Sequence, residues 1–220
     1  MKQVFSIAST VALGLFLISC EGGTAEEANK TDETEVMEES KGPSGSYSLV
    51  QGESVLNWEG NMLKIGGVSL YGHNGTINFA KGMMTMEDGE IVDGTFVVDM
   101  STITPTDDNY GEENPKEKLI GHLSSPDFFA IDSFPTATFQ VKGMEDGKIM
   151  GDMTIRGVTN SETIENVTME NMDGKVKATG SMTLDRQKYN VAWSNPAEDK
   201  VLSDDLDLEF VIVANTDDAM

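Results

Sequence analysis

The chain has 220 residues, with 38 Asp and Glu against 15 Lys and Arg, a formal net charge of −23 and a single cysteine. Such a surface repels a phosphate backbone and an anionic membrane face, so nucleic acid is excluded as a partner. One cysteine forms neither an intrachain disulfide nor a thiolate metal site, and the sequence holds no lysine-bearing phosphate loop and no two-histidine zinc spacing, so no metal and no cofactor is expected.

Residues 1–19 read as an export signal. Lys2 supplies the positive start, and the apolar stretch from Val4 to Ile18 is shorter than the roughly 20 residues a bilayer span requires. Leu17-Ile18-Ser19-Cys20 resembles the lipobox of bacterial lipoproteins, which implies cleavage before Cys20 and diacylation of its thiol. That resemblance places the protein in the cell envelope, lipid-anchored through Cys20 on the periplasm-facing or surface side of a bacterial membrane. Residues 20–45 carry the lipidated cysteine and a tether with eight acids between Glu21 and Gly45. Its composition buries too little apolar surface to offset the entropy of ordering, so the tether is expected to be disordered.

Alternation begins at Tyr47 and ends at Ala214, predicting one domain over residues 46–215 with a short tail at 216–220. Strands are expected from Tyr47 to Gly60, Val68 to Met86, Val92 to Ile103 and Ala137 to Gly143. A further run places Ile149, Gly151, Met153, Ile155 and Gly157 on one face, with Lys148, Asp152, Thr154 and Arg156 on the other. Val176, Ala178, Gly180, Met182 and Leu184 oppose Lys175, Lys177, Thr179, Ser181 and Thr183; Leu206, Leu208, Phe210, Ile212 and Ala214 oppose Asp205, Asp207 and Glu209. One wet face and one dry face describe antiparallel strands. Asp88-Gly89, Asp146-Gly147 and Asp173-Gly174 sit between such runs as two-residue hairpin turns. The pattern predicts an all-β fold, an antiparallel barrel of about eight strands.

One connection differs. Asn114-Pro115-Lys116-Glu117 has a cap residue, a proline at the first helical position and an acid three beyond the cap, so a short helix starts there. Ser125-Pro126-Asp127 restarts a second turn, which presents Phe128 and Phe129 from rigid backbone. Phe128, Phe129 and Phe134 are expected to close one end of the barrel or, equally, to anchor the connection.

His122-Leu-Ser-Ser-Pro-Asp-Phe-Phe-Ala-Ile-Asp-Ser-Phe-Pro-Thr-Ala-Thr-Phe139, followed by Gly151-Asp-Met-Thr-Ile-Arg-Gly-Val-Thr159, is similar to the paired signatures of the YceI-like family, exported bacterial proteins that bind lipids and polyisoprenoids. Leu184-Asp-Arg-Gln-Lys-Tyr-Asn190 resembles a further family segment, although Asn190 stands where many members carry glycine. Gly72-His-Asn-Gly-Thr-Ile77 resembles a turn of some members. The resemblance implies a lipocalin-like eight-stranded antiparallel barrel with a helical excursion and an apolar tunnel for a long-chain isoprenoid, quinone or fatty amide. Family members are often homodimers, so the resemblance makes a homodimer possible and leaves the oligomeric state open.

A polyprenyl chain needs a dry, uncharged bore, and the inward positions above include no charged residue. The residues expected to contact ligand are Phe79, Phe96, Val98, Phe128, Phe129, Phe139, Val141, Met153, Ile155, Met182, Leu184, Leu208, Phe210 and Ile212, with His122 and Asp127 as headgroup contacts. Small inward residues such as Gly151, Gly157, Ala178 and Gly180 are expected to leave volume beside large ones, and methionines to give an adaptable wall. Alternation alone also allows a barrel filled by its own side chains, a structural or interaction lipoprotein. A hydrolase would need His122 and Asp127 to activate water. Gly67-Val-Ser-Leu-Tyr71 lacks the second glycine of a nucleophile elbow. Arg156 is expected to point outward, to a surface carboxylate.

Overall fold

A computed structural model of the protein describes residues 42–64, 66–172, 174–193 and 200–217. The expected signal, Cys20 and most of the tether lie outside the described residues. Among those described, the chain forms nine strands and one α-helix in the order β1 (Gly45–Leu49), β2 (Val55–Lys64), β3 (Val68–Glu87), β4 (Glu90–Pro105), α1 (Lys116–Ser124), β5 (Thr136–Glu145), β6 (Lys148–Ile155), β7 (Val158–Met172), β8 (Lys175–Asp185) and β9 (Lys200–Thr216), with a 3-10 turn at Arg186–Tyr189.

All pairings between strands are antiparallel and they close: β2 pairs β9, then β8, β7, β6, β5 and β4 follow in order, and β4 returns to β3, which pairs β2. β1 and β2 occupy one line of the barrel. β1 lies between β3 and β9 at Tyr47↔Met84 and Tyr47↔Thr216, and β2 lies between the same neighbours at Val55↔Asn78 and Val55↔Val211. The expected strand from Tyr47 to Gly60 is thus interrupted at residues 50–54, which makes an eight-stranded barrel from nine strands. At the break the Ser54 hydroxyl accepts from Val213 N at 2.9 Å and lies 3.1 Å from Val213 O, standing in for the missing ladder bonds.

Asp88-Gly89 and Asp146-Gly147 make the expected two-residue turns, with φ of 50° at each aspartate; Asp173 lies outside the described residues. Arg156-Gly157 is a third such turn, with φ of 50° and 72°, and Ile155 pairs Val158 across it. It ends the run that alternation extended through Gly157. β7 then returns along β6. Gly72 and Gly75, expected in a turn, lie inside β3. A Cβ on Gly72 would stand 2.9 Å from Gly60 O, and one on Gly75 would stand 2.3 Å from Thr104 O, so close approach between strands explains both glycines. Asn190 takes up the left-handed conformation, φ 58° and ψ 24°, which asparagine tolerates in place of glycine.

The helix begins one residue later than the cap pattern indicates, with Pro115 in extended conformation at the cap position and Asn114 accepting from Lys118 Nζ at 2.9 Å. Beyond it, Phe128 N donates to Ser125 O and Ala130 N to the same oxygen, the expected second turn. Arg156 meets no carboxylate among the described residues. Its guanidinium donates to the carbonyl oxygens of Phe128, Asn190 and Pro126, so it clamps the aromatic turn to the β6–β7 hairpin.

Candidate functional site

The inward faces of the strands enclose a cavity of about 940 Å³. A barrel packed solid would hold no such volume, so the filled interior left open by alternation is not what this sequence builds. At one end Tyr47, Met86, Val176 and Ala214 are each at most 4% exposed and stop the bore. The other end is covered by α1, with Leu119, His122 and Leu123 facing the cavity.

Beside the helix, three strands project past their neighbours. β3 below Gly75 pairs β2 alone, because β4 ends at Pro105; β9 before Asp205 pairs β2 alone, because β8 ends at Asp185. The resulting lip lines the cavity with Met62, Tyr71, Leu202 and Leu206, and leaves Val68 and Val201 exposed beyond it.

Of the fourteen residues expected to contact ligand, Phe79, Phe96, Val98, Phe128, Phe129, Phe139, Val141, Met153, Ile155, Leu184, Leu208, Phe210 and Ile212 line this cavity. Met182 faces inward and is buried at 6%, but belongs to the packed wall and not to the cavity surface. Phe134 is exposed and covers Gly157 from outside, where a Cβ would meet its ring at 3.0 Å, so it does not close the barrel. Several inward glycines are likewise occupied: the Phe139 ring sits where Gly151 would carry a side chain, at 2.5 Å, and the Phe96 ring does so at Gly82, at 2.6 Å. Gly180 and Ala178 do line the cavity.

The two expected headgroup contacts separate. His122 lines the cavity with its Nε2 buried, and Phe128 and Trp193 hold its ring edge-on, at centroid distances of 5.4 and 4.8 Å. Burial pushes the imidazole pKa down, and the charge of Asp127 offsets this in part. Asp127 is exposed and lies off the cavity, reaching His122 through its field and not by a hydrogen bond. That geometry gives no positioned His–Asp pair for water activation at this point.

A second polar group on the rim is assembled around Asp107, which no sequence pattern marks. Asp107, in the connection after β4, accepts from His73 Nδ1 at 3.1 Å, Tyr110 hydroxyl at 2.9 Å, Asn109 N at 2.9 Å and Asn74 N at 3.2 Å. Burial alone would raise its pKa, but these four donors outweigh burial and hold the carboxyl at about 2. His73 and Tyr110 stack at 5.1 Å and both line the cavity, as do Asn109, Asn114, Pro115 and Lys118. Lys118 is the one lysine or arginine on the cavity wall among the described residues. Trp58 and Trp193 also line it. Trp58 is readable, since it falls between Leu56 and Gly60 on the inward face of a predicted strand; the Asp107 cluster is not, because two of its four donors, His73 and Asn74, lie more than thirty residues away.

A family model described as the YceI-like domain matches residues 47–214. The UPF0312 protein of Staphylococcus aureus strain USA300 is 34% identical over 118 residues, 50% of this chain and 66% of that protein. The UPF0312 protein of the bovine strain RF122 is 33% identical over the same spans. The matched stretch is therefore just under two thirds of these relatives' length. The crystal structure of Burkholderia cenocepacia BcnA is similar with a TM-score of 0.57 and 17% identity, covering 74% of this chain and 96% of that one, a likeness of fold.

Proposed function

The chain belongs to the YceI-like family, and from that premise we propose that it is a binding protein that takes one long apolar ligand into the barrel and sequesters or carries it in the cell envelope. A polyisoprenoid, an isoprenoid quinone or a fatty amide suits the bore. The observation that carries this reading is the cavity of about 940 Å³ with an almost wholly uncharged wall. A hydrocarbon chain forms no hydrogen bonds along its length, so it gains from a wall that is apolar over most of its extent. Burying roughly 400 Å² of such a ligand contributes on the order of 10 kcal/mol before the costs of association, enough for micromolar affinity. Shape variation along the chain is met by methionines such as Met84, Met100 and Met153.

The same proposal places the protein on a membrane through acylated Cys20, with the acidic tether as spacer, and assigns it no catalytic step. Two signals are usual for stable anchoring, and the diacyl group of a lipoprotein cysteine provides two chains at one site. Mass spectrometry of organic extracts from protein purified under native conditions tests the carrier reading: a stoichiometric long-chain lipid supports it, and an extract with none overturns it. Metabolic labelling with a fatty acid tests the anchor, since Cys20→Ser abolishes incorporation if Cys20 is the acylated residue.

A further inference from the structure

Two buried polar atoms on the cavity wall have no hydrogen-bond partner among the described residues: Trp58 Nε1 and His122 Nε2. Both belong to the helix-covered end of the bore. His122 is on α1 itself, and the Trp58 indole is seated in the notch at Gly75, beside Pro105, where β4 leaves the barrel for the helical connection. We propose that these two residues form a polar station that selects a long-chain ligand carrying a neutral, hydrogen-bond-accepting oxygen over a bare hydrocarbon and over a chain ending in phosphate. The inference rests on the carrier reading and narrows it.

An unmet buried donor costs roughly 1–3 kcal/mol, and phenylalanine at either position would keep an aromatic ring there without that penalty. Among the described residues these are the two buried side-chain nitrogen or oxygen atoms left without a partner, and both lie at one end of the bore, so they call for a partner that arrives with the ligand. Trp58 Nε1–H only donates, which requires an acceptor. A neutral His122 Nε2 either donates or accepts, so a carbonyl oxygen suits each of the two residues, and an amide suits Trp58 as acceptor and His122 as donor. Burial favours that neutral imidazole.

An anionic terminus fits poorly. Lys118 Nζ, the one cation on the cavity wall among the described residues, is already engaged 2.9 Å from Asn114 Oδ1 and 3.4 Å from Glu113 O, and Lys116 lies over the Tyr110 ring, 5.3 Å from its centroid, and not on the wall. A phosphate drawn down to Trp58 would leave water without a countercharge, at a cost of several kcal/mol.

The test measures binding to delipidated protein by equilibrium dialysis, using menaquinone-4 as the carbonyl-bearing probe, squalene as the hydrocarbon and geranylgeranyl phosphate as the anion. Wild type is expected to hold menaquinone-4 roughly tenfold tighter than either other probe. Trp58→Phe and His122→Phe are each expected to weaken menaquinone-4 by roughly three- to tenfold, the net effect of one hydrogen bond, and to leave squalene unchanged. Variants that hold menaquinone-4 as tightly as wild type overturn the proposal, because the two groups then serve water or nothing. A wild type that prefers squalene or the phosphate overturns it while leaving the carrier reading in place. Failure to bind all three probes removes the carrier reading and this inference with it. Thermal unfolding reports whether each variant folds, and should either fail to fold, the wild-type ranking of the three probes still decides.

Discussion

The guanidinium of Arg156, at the tip of the β6–β7 hairpin, donates to the backbone carbonyl of Phe128, whose ring lies on the cavity wall. Two residues distant in sequence thereby fix the lid of the bore to its wall. The same side chain holds Asn190 O at 2.7 Å and Pro126 O at 3.2 Å, so it supplies donors to two carbonyls of the aromatic turn and to one at the end of the 3-10 turn. Arg156→Ala is expected to destabilise by about 2–3 kcal/mol, seen as a fall in Tm of roughly 5–10 °C. Arg156→Lys, a single point donor, recovers less than half of the loss. A Tm unchanged in the alanine variant would show that the clamp contributes nothing.

How far the sequence revealed this arrangement depends on what each strand faces. β8 and β9 were legible because every second residue meets the bore and its neighbours meet water. β7 was absent from the predicted strands although it is fifteen residues long. Its inward residues Asn160 and Glu162 are polar because the 3-10 turn lies against them: Lys188 O accepts from Asn160 at 3.1 Å, and the Tyr189 hydroxyl donates to Glu162 at 2.9 Å. Hydrophobic alternation vanishes wherever a polar partner replaces the core, and only tertiary structure supplies that partner. The aromatic wall could be read by parity along each strand, whereas the Asp107 cluster joins β3 to a loop.

That cluster fastens the connection after β4 to the rim. Asp107→Asn keeps the shape but weakens charge-assisted bonds, and is expected to destabilise by about 1–2 kcal/mol near neutral pH. The pH dependence has a definite sign. The folded-state pKa of about 2 lies below the ordinary 3.8, so the charged form stabilises the fold fully above about pH 4 and ceases to as pH falls toward 2. The difference in stability between wild type and Asp107→Asn should therefore narrow between pH 4 and 2, measured by urea unfolding. A constant difference across that range would separate Asp107 from the rim's stability.

Gly151 bears on whether the glycines hold space for ligand or for protein. A Cβ there would stand 2.5 Å from both Gln140 O and the Phe139 ring. Backbone cannot yield as a side chain can, so Gly151→Ala is expected to cost about 1–3 kcal/mol and to shift Phe139 within the cavity wall. At Gly180 the nearest atom is the Ile164 Cγ2, at 2.6 Å, and a side-chain methyl can rotate away. Gly180→Ala should accordingly cost less. Equal losses in thermal unfolding would reverse this ranking.

The bore itself is tested by filling it. Ala178 on β8 faces the cavity opposite its ladder partner Ile212, well below the helix. A phenyl ring at this position would project into the cavity of about 940 Å³. It also buries apolar surface that alanine leaves unmade, so Ala178→Phe is expected to keep or raise Tm while blocking a chain that threads past it. In wild type a ligand at one hundred times its Kd adds about 2.7 kcal/mol of stability. The filled variant should lose that increment and release at least nine tenths of the lipid that wild type retains through purification. Full retention in a folded Ala178→Phe protein would mean that the ligand stops above this level, near Trp58 and His122, and does not run the length of the barrel.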